Sequence, residues 1–342
     1  MKAAVLHVHG GAENLLYEDY PDPKISDTDV LLEVKAASLN HVDIWIREGT
    51  GAYALPLPHI IGADGAGIVR EVGKCVRKVK PGDRVCTSVI MGCGVCPACI
   101  SANENLCSNM KFLGVNINGT YAQYLSLPEG NVHKIPNELS FTDAAAIPVV
   151  FMTAWHMLVT RAQLRAGETV LIHAGGSGIG TAAIQIAKFL NARAIITAGT
   201  DEKVQKALAL SADEGINYTT KDFLEEVKCL TDGRGVDVVF EHVGPATWEK
   251  SLQALTKNGR LVTCGATTGP KVELNLRFLF SRHLTVMGSY TGTKFELESM
   301  MPLFKDGTLK AVVDRVLPLR EVVQAHRLMD TRNVFGKIVL EP

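Results

Sequence analysis

At 342 residues the chain is too long for one ordinary hydrophobic core, and two domains are expected. Its 46% hydrophobic and 21% charged residues are ordinary for a folded soluble protein, and 35 basic against 36 acidic side chains leave no electrostatic footprint for nucleic acid or an anionic membrane. No apolar run reaches the ~18 residues that span a bilayer. The opening Met1-Lys2-Ala3-Ala4-Val5-Leu6 turns polar at His7 without a signal-peptide core, so a cytoplasmic location is expected.

The first ~130 residues are rich in β-branched residues, Gly and Pro. Strand-like runs occur at 30–34 and 67–72, and Pro81-Gly82-Asp83 marks a turn before a further strand at 84–86. This half predicts an irregular β-barrel-like domain. Inside it lies Cys93-x2-Cys96-x2-Cys99-x7-Cys107, four thiols on a loop containing Gly and Pro. Tight spacing lets backbone wrap one ion, and four sulfurs complete a tetrahedron with no open position, so the motif points to one structural zinc. An iron–sulfur cluster and a nucleic-acid zinc ribbon are the rivals. The wide fourth gap and missing Cys-Pro step argue against the first, and Lys111 as the one nearby base argues against the second. Cys75, Cys86, Cys229 and Cys264 lie among apolar neighbours and read as small buried hydrophobes.

The pattern changes near Phe141, where strand-like runs begin to alternate with helical ones. The first pair is a strand at 168–174 and a helix after Gly178, in which Ile179, Ala183, Ile186, Ala187 and Leu190 form one buried face. Between them runs Gly175-Gly176-Ser177-Gly178-Ile179-Gly180. A glycine turn leading into a helix lets backbone approach a pyrophosphate, with the helix N-terminus supplying free N–H groups. Ser177 breaks the strict G-x-G-x-x-G string, and a plain tight turn is the bland alternative; the strand, helix and following βαβ pattern favour a dinucleotide site. Further strands are predicted at 194–198, 236–241, 260–264 and 284–287, giving a doubly wound parallel sheet. A carboxylate at the end of the second strand would bind the ribose of NAD and repel the extra phosphate of NADP. The chain has Gly199 and Thr200 there, followed by Asp201 and Lys203, so NADP(H) is favoured over NAD(H) with Lys203 meeting the phosphate. Lys203 as a solvated residue, and Asp201 as a ribose ligand, stay open.

The cysteine lobe, the glycine turn and Gly62-Ala63-Asp64-Gly65-Ala66-Gly67-Ile68-Val69-Arg70-Glu71-Val72-Gly73 together resemble the medium-chain dehydrogenase/reductase superfamily. The likeness continues through Pro81-Gly82-Asp83-Arg84-Val85 to Phe335-Gly336-Lys337-Ile338-Val339-Leu340. It implies an α/β chain of two domains: a GroES-like β-barrel catalytic domain with the zinc lobe over 1–150, and a Rossmann domain over 151–290. Residues 291–342 are then expected to return to the catalytic domain. Thr153 and Tyr218 are implied as cofactor contacts, Tyr218 at the 2′-phosphate. In zinc alcohol dehydrogenases of this superfamily three side chains hold a catalytic zinc, and here those positions are Asn40, Ala63 and Val149. Asparagine is a poor zinc ligand, and alanine and valine are none. Val42 replaces the hydroxyl that relays the alcohol proton, and Trp45 stands where a relay histidine is common. These replacements are similar to the quinone oxidoreductase branch, which usually lacks the cysteine lobe.

Without a zinc to polarise a carbonyl, an acceptor that already delocalises charge is expected: a quinone, an enone or an aryl ketone. Asn40 is the candidate hydrogen-bond donor to the developing oxyanion or the nicotinamide ribose, and His41 is expected near the pyrophosphate. Asp43 and Asp64 are candidates for proton donation or for holding loop structure. Trp45, Tyr53 and residues 55–57 would line an apolar pocket or belong to the core. A non-catalytic NADPH-binding sensor or structural protein, and a true zinc-dependent alcohol dehydrogenase, are the alternatives. A homodimer or homotetramer is expected, because the apolar strand at 284–287 falls late in the sheet at an edge.

Overall fold

The alternating pattern from residue 168 onward forms one six-stranded sheet, every neighbouring pair parallel. Its strands run in the order Glu214–Asn217, Arg193–Ala198, Thr169–Ile172, Val236–Glu241, Leu255–Thr263 and Thr285–Gly288. The order reverses between Thr169–Ile172 and Val236–Glu241, the switch point at which doubly wound sheets receive ligands. Both of these strands are buried at every residue, so helices cover both faces. The structure, a computed structural model, describes residues 1–50 and 55–342, so Tyr53 lies outside the described residues.

Two departures from the sequence expectation have local causes. The fifth strand begins at Leu255 rather than 260, because Asn258-Gly259 looks like a turn but is absorbed inside the strand. Asn258 takes φ 64° there, and the pairing register with the fourth strand shifts between Val236 and Val238. The helix Gly178–Phe189 buries more than one stripe: Thr181, Ala182 and Ile184 are buried beside Ala183, Ile186 and Ala187, while Ile179 and Leu190 are half-buried. Its small residues pack on several sides, as in a helix that is apolar nearly all round.

The chain divides by its contacts into two units, Val150–Gly292 around that parallel sheet, and Met1–Val149 together with Thr293–Pro342. In the latter a seven-stranded sheet is ordered Val132–Lys134, Arg84–Thr87, Asp64–Val72, Asp29–Ser38, Lys337–Glu341 and Val313–Pro318, with Tyr124–Pro128 also pairing with Asp29–Ser38. A three-stranded sheet of Leu15–Asp19, Lys2–Leu6 and His59–Ile60 accompanies it. Strand Asp29–Ser38 alternates buried and half-buried residues up to Lys35, then buries Ala36, Ala37 and Ser38 in succession. Its neighbour Asp64–Val72 begins with four buried residues, and Ser38 stands opposite Asp64. The two strands thus lose their solvent face at the same end. No helix among the described residues is long and apolar enough to cross a membrane.

Candidate active site and metal centre

The doubly buried end of those strands holds a closed polar network. Asp64 is fully buried, and its Oδ1 accepts a hydrogen bond from the Val149 amide at 2.9 Å. Its Oδ2 accepts from Asn40 Nδ2 at 2.9 Å and from Lys337 Nζ at 3.1 Å, and Ser38 Oγ, which donates to the Ala145 carbonyl at 2.8 Å, lies 3.3 Å away. Lys337 Nζ also donates to Asn40 Oδ1 at 2.5 Å, with the lysine side chain only 4% exposed. Lys337 reaches this point because Lys337–Glu341 pairs with Asp29–Ser38, Val339 lying opposite Ser38. Two of the three positions that hold metal in the resembled zinc enzymes, Asn40 and Val149, therefore bond to Asp64 here; the third, Ala63, is fully buried.

Asn40 precedes the helix His41–Glu48, and its backbone N–H donates to Asp43 Oδ2 at 2.8 Å. The same oxygen accepts from the Tyr121 hydroxyl at 3.0 Å, while Asp43 Oδ1 is buried without a hydrogen-bond partner. Burial pushes the Asp43 carboxyl up to about 7 against the opposing bonds from Asn40 and Tyr121. On the same helix the rings of His41 and Trp45 meet edge to face, 5.1 Å between centroids. Val42, Leu55 and Leu57 are partly buried and pack against the hydrophobic core of this unit.

In the cysteine loop the Sγ atoms of Cys93, Cys96, Cys99 and Cys107 all lie within 4.8 Å of one another. A tetrahedral zinc with ~2.3 Å bonds needs sulfur–sulfur edges of roughly 3.8 Å, so the cluster fits such an ion with little movement. Backbone N–H groups of Val95 and Cys96 hold the Cys93 thiol down to about 6, whereas desolvation and the neighbouring sulfurs push Cys99 up to about 12. Four crowded thiols cannot all ionise unaided, and a dication between them removes that conflict. Among the described residues this is the one group of three or more His, Cys, Asp or Glu side chains arranged to hold a metal.

In the parallel-sheet unit, strand Thr169–Ile172 passes through the glycine turn into helix Gly178–Phe189. Ser177 caps that helix, its Oγ accepting from Gly180 N at 3.0 Å, a bond worth about 1 kcal/mol. A Cβ at Gly180 would lie 2.3 Å from the Ala174 carbonyl oxygen, so only glycine permits so close a return of the chain. The first N–H groups of a helix lack intrahelical acceptors, so those of Gly178 and Ile179 are placed to meet an anion. A cofactor pyrophosphate fits this turn.

At the end of the second strand a Cβ on Gly199 would come 2.9 Å from the Tyr218 hydroxyl, and the Tyr218 ring is 48% exposed. Thr200 caps the helix Asp201–Ala209 by accepting from Lys203 N at 3.2 Å. Asp201 Oδ1 accepts from Asn217 Nδ2 at 2.8 Å, which occupies part of the carboxylate considered for the ribose. Thr153 is buried in helix Pro148–Trp155.

Sequence reasoning missed Lys337, quoted only as part of a closing strand motif, although a lysine leading an apolar run was a signal of a buried charge. It also missed Ser38 and Tyr121, and the knot of His173 and Glu241 at the ends of strands Thr169–Ile172 and Val236–Glu241. There Ser251 Oγ joins His173 Nε2 at 2.8 Å to Glu241 Oε2 at 3.1 Å.

Two family models match the chain: one described as alcohol dehydrogenase GroES-like domain over residues 26–137, and one described as zinc-binding dehydrogenase over 178–306. The quinone oxidoreductase of Homo sapiens is 30% identical across 99% of this chain and 97% of its own length. A solved structure described as an NAD-dependent alcohol dehydrogenase is 43% identical, with both chains fully covered and a TM-score of 0.97. A cobalt- and zinc-bound thermostable alcohol dehydrogenase from Pyrobaculum aerophilum is 29% identical over 100% of this chain and 99% of its own, with a TM-score of 0.90.

Proposed function

The chain belongs to the medium-chain dehydrogenase/reductase superfamily and is an oxidoreductase; from that premise we propose that it reduces a quinone, enone or aryl ketone with NADPH, without a metal at the reacting carbonyl. The observation that carries this reading is the Asn40–Asp64–Lys337 network. Where the zinc enzymes have ligands, this chain has an amide, an alanine and a valine, and the amide is tied to an internal ion pair.

A bound reduced nicotinamide supplies the hydride. The chain's own part is to hold the acceptor in line, exclude water and stabilise charge on the accepting oxygen. Asn40 Nδ2 carries two hydrogens, and Asp64 takes one; the other is the donor assigned to the developing oxyanion. Asp64 accepts from Asn40, Lys337 and the Val149 amide, with the Ser38 hydroxyl close by, and so suits anchoring better than proton donation. Asp43, bonded to Asn40 N–H and Tyr121, holds the helix entry. His41 is assigned to the neighbourhood of the pyrophosphate. Cys93, Cys96, Cys99 and Cys107 are assigned one structural zinc per chain.

Gly175, Ser177, Gly178, Ile179 and Gly180 form the pyrophosphate turn, with Thr153 a further cofactor contact. Gly199, Thr200, Lys203 and Tyr218 favour NADPH, since Gly199 and Thr200 rather than a carboxylate follow the strand end and Asp201 is partly engaged by Asn217. The NAD named for the 43% identical structure favours the opposite choice. Fluorescence titration with both cofactors decides between them: tighter NADPH binding is expected, and a clear NADH preference overturns the choice. A panel of quinones, enones, ketones and primary alcohols tests the reaction. Conjugated acceptors should be reduced and primary alcohols oxidised poorly, because no metal lowers the alcohol's pKa. Tight cofactor binding with no turnover on any acceptor would favour a sensor instead.

A homodimer is proposed through the outer strand Thr285–Gly288, whose second edge pairs with no strand among the described residues; the preceding helix Leu276–Ser281 exposes Leu276 and Phe280. A monomeric mass by light scattering at micromolar concentration overturns it.

A further inference from the structure

We propose that Lys337 is a positioning residue for hydride transfer: its ammonium fixes the Asn40 amide in one orientation and sharpens the remaining N–H as a donor to the substrate oxygen. The inference rests on the zinc-free reading above. Asn40 is 6% exposed and Asp64 fully buried, so this is a low-dielectric place where every donor needs a matching acceptor. The amide has two ends. Its Oδ1 faces Lys337 Nζ at 2.5 Å and its Nδ2 faces Asp64 Oδ2 at 2.9 Å. A flipped amide would set N–H against the ammonium and oxygen against the carboxylate, two repulsions at once, so the network allows a single orientation.

Charge does more than orient. A cation on the amide oxygen draws electron density through the planar C–N bond, and the Nδ2 hydrogens become better donors. Asp64 takes one of them, and its other oxygen is held by the Val149 amide. The second hydrogen is thereby presented by a side chain that cannot rotate, so no reorganisation is needed as negative charge builds on the substrate oxygen. Stability alone is a weak reason to bury such a pair, since desolvating two charges offsets most of their attraction. A role in transition-state stabilisation supplies a reason.

The test uses the full chain with its cofactor and 1,4-benzoquinone or an enone as acceptor. Lys337→Gln keeps a neutral N–H donor for Asn40 and removes the charge; Lys337→Arg restores the charge. We expect Lys337→Gln to lower kcat about tenfold, with KM and cofactor Kd near wild type, and Lys337→Arg to recover most of the loss. In an Asn40→Ala background Lys337→Gln should cost nothing further, because the residue acts through the amide. Wild-type kcat in Lys337→Gln, or a second tenfold loss on top of Asn40→Ala, overturns the proposal. If Lys337→Gln does not fold, Asn40→Asp carries the test. It keeps an oxygen for Lys337 but has no amide hydrogen, so loss of kcat supports the proposal and wild-type kcat overturns it. A wild-type chain that reduces none of these acceptors overturns the parent reading and this inference together, whereas an active wild type with unaffected variants overturns this inference alone.

Discussion

Two places in the GroES-like unit could each have held a metal, and they have gone opposite ways. In the loop around Cys93, Cys96, Cys99 and Cys107 four thiols converge within 4.8 Å, and the crowding itself calls for a dication. At Asn40, Ala63 and Val149 the side chains offer no thiolate or imidazole, and a lysine, an aspartate and an amide form a hydrogen-bonded network. The first is an electrostatic conflict awaiting a cation; the second brings its own cation on a covalent tether. Charge is met by internal pairing in the buried network, whereas the half-buried cysteine cluster suits an imported ion.

Removing the imported ion should give the largest effect. Cys96→Ser should release zinc and lower the melting temperature on the order of 10 °C, with kcat below the transition little changed. A zinc-free variant melting with wild type would break the comparison. Elemental analysis sharpens it next, since about one zinc per chain is expected rather than two. The triple change Asn40→Cys, Ala63→His and Val149→Cys should raise the count toward two, and an unchanged count would show that these positions do not converge on a metal.

A pH experiment separates the two places further. Burial holds Asp43 at about 7, above its unfolded value near 3.9, so the native chain keeps a proton that the unfolded chain has lost. The stability this contributes is present at low pH and lost as pH rises through 7. Relative to Asp43→Asn, wild type should lose roughly 2 to 3 kcal/mol between pH 5 and 8 in chemical denaturation. A flat difference would mean that the carboxyl is solvated. The smallest effect is expected from Ser38→Ala, which removes a hydroxyl that donates to the Ala145 carbonyl at 2.8 Å and lies 3.3 Å from Asp64 Oδ2, costing about 1 kcal/mol and leaving the zinc count unchanged.

Much of this was legible in the sequence, and what was not has a physical cause. The strand, glycine turn and helix around Gly178 are local in the chain, so periodicity and turn chemistry exposed them. The cysteine loop spans fifteen positions, 93–107, and its spacing is itself the geometry. The residue types at Asn40, Ala63 and Val149 could be read as unsuited to zinc, because asparagine is a poor ligand and alanine and valine have no ligand atom. What took the metal's place could not be read, since Lys337 meets Asn40 only through the pairing of two strands remote in sequence. Ser38 and Tyr121 escaped for the same reason: a hydroxyl in an apolar stretch acquires meaning only from the carboxylate it turns out to face. The fifth strand was shortened in prediction because Asn258-Gly259 carries a turn signal that a bulge absorbs.

The 297 positions that separate Asn40 from Lys337 also set an order of events during synthesis. The parallel sheet is built from one continuous stretch, Thr169 to Gly288, and can close on the ribosome while the rest is still being made. The strand Asp29–Ser38 emerges early, yet its partner Lys337–Glu341 is translated some three hundred residues later. At about 5–20 residues per second the Ala37–Ser38 end of that edge waits on the order of half a minute for its partner, while Asp29–Glu33 on the same side can already pair with Tyr124–Pro128. The corner of the fold that joins Asn40 to Lys337 is therefore among the last features to form.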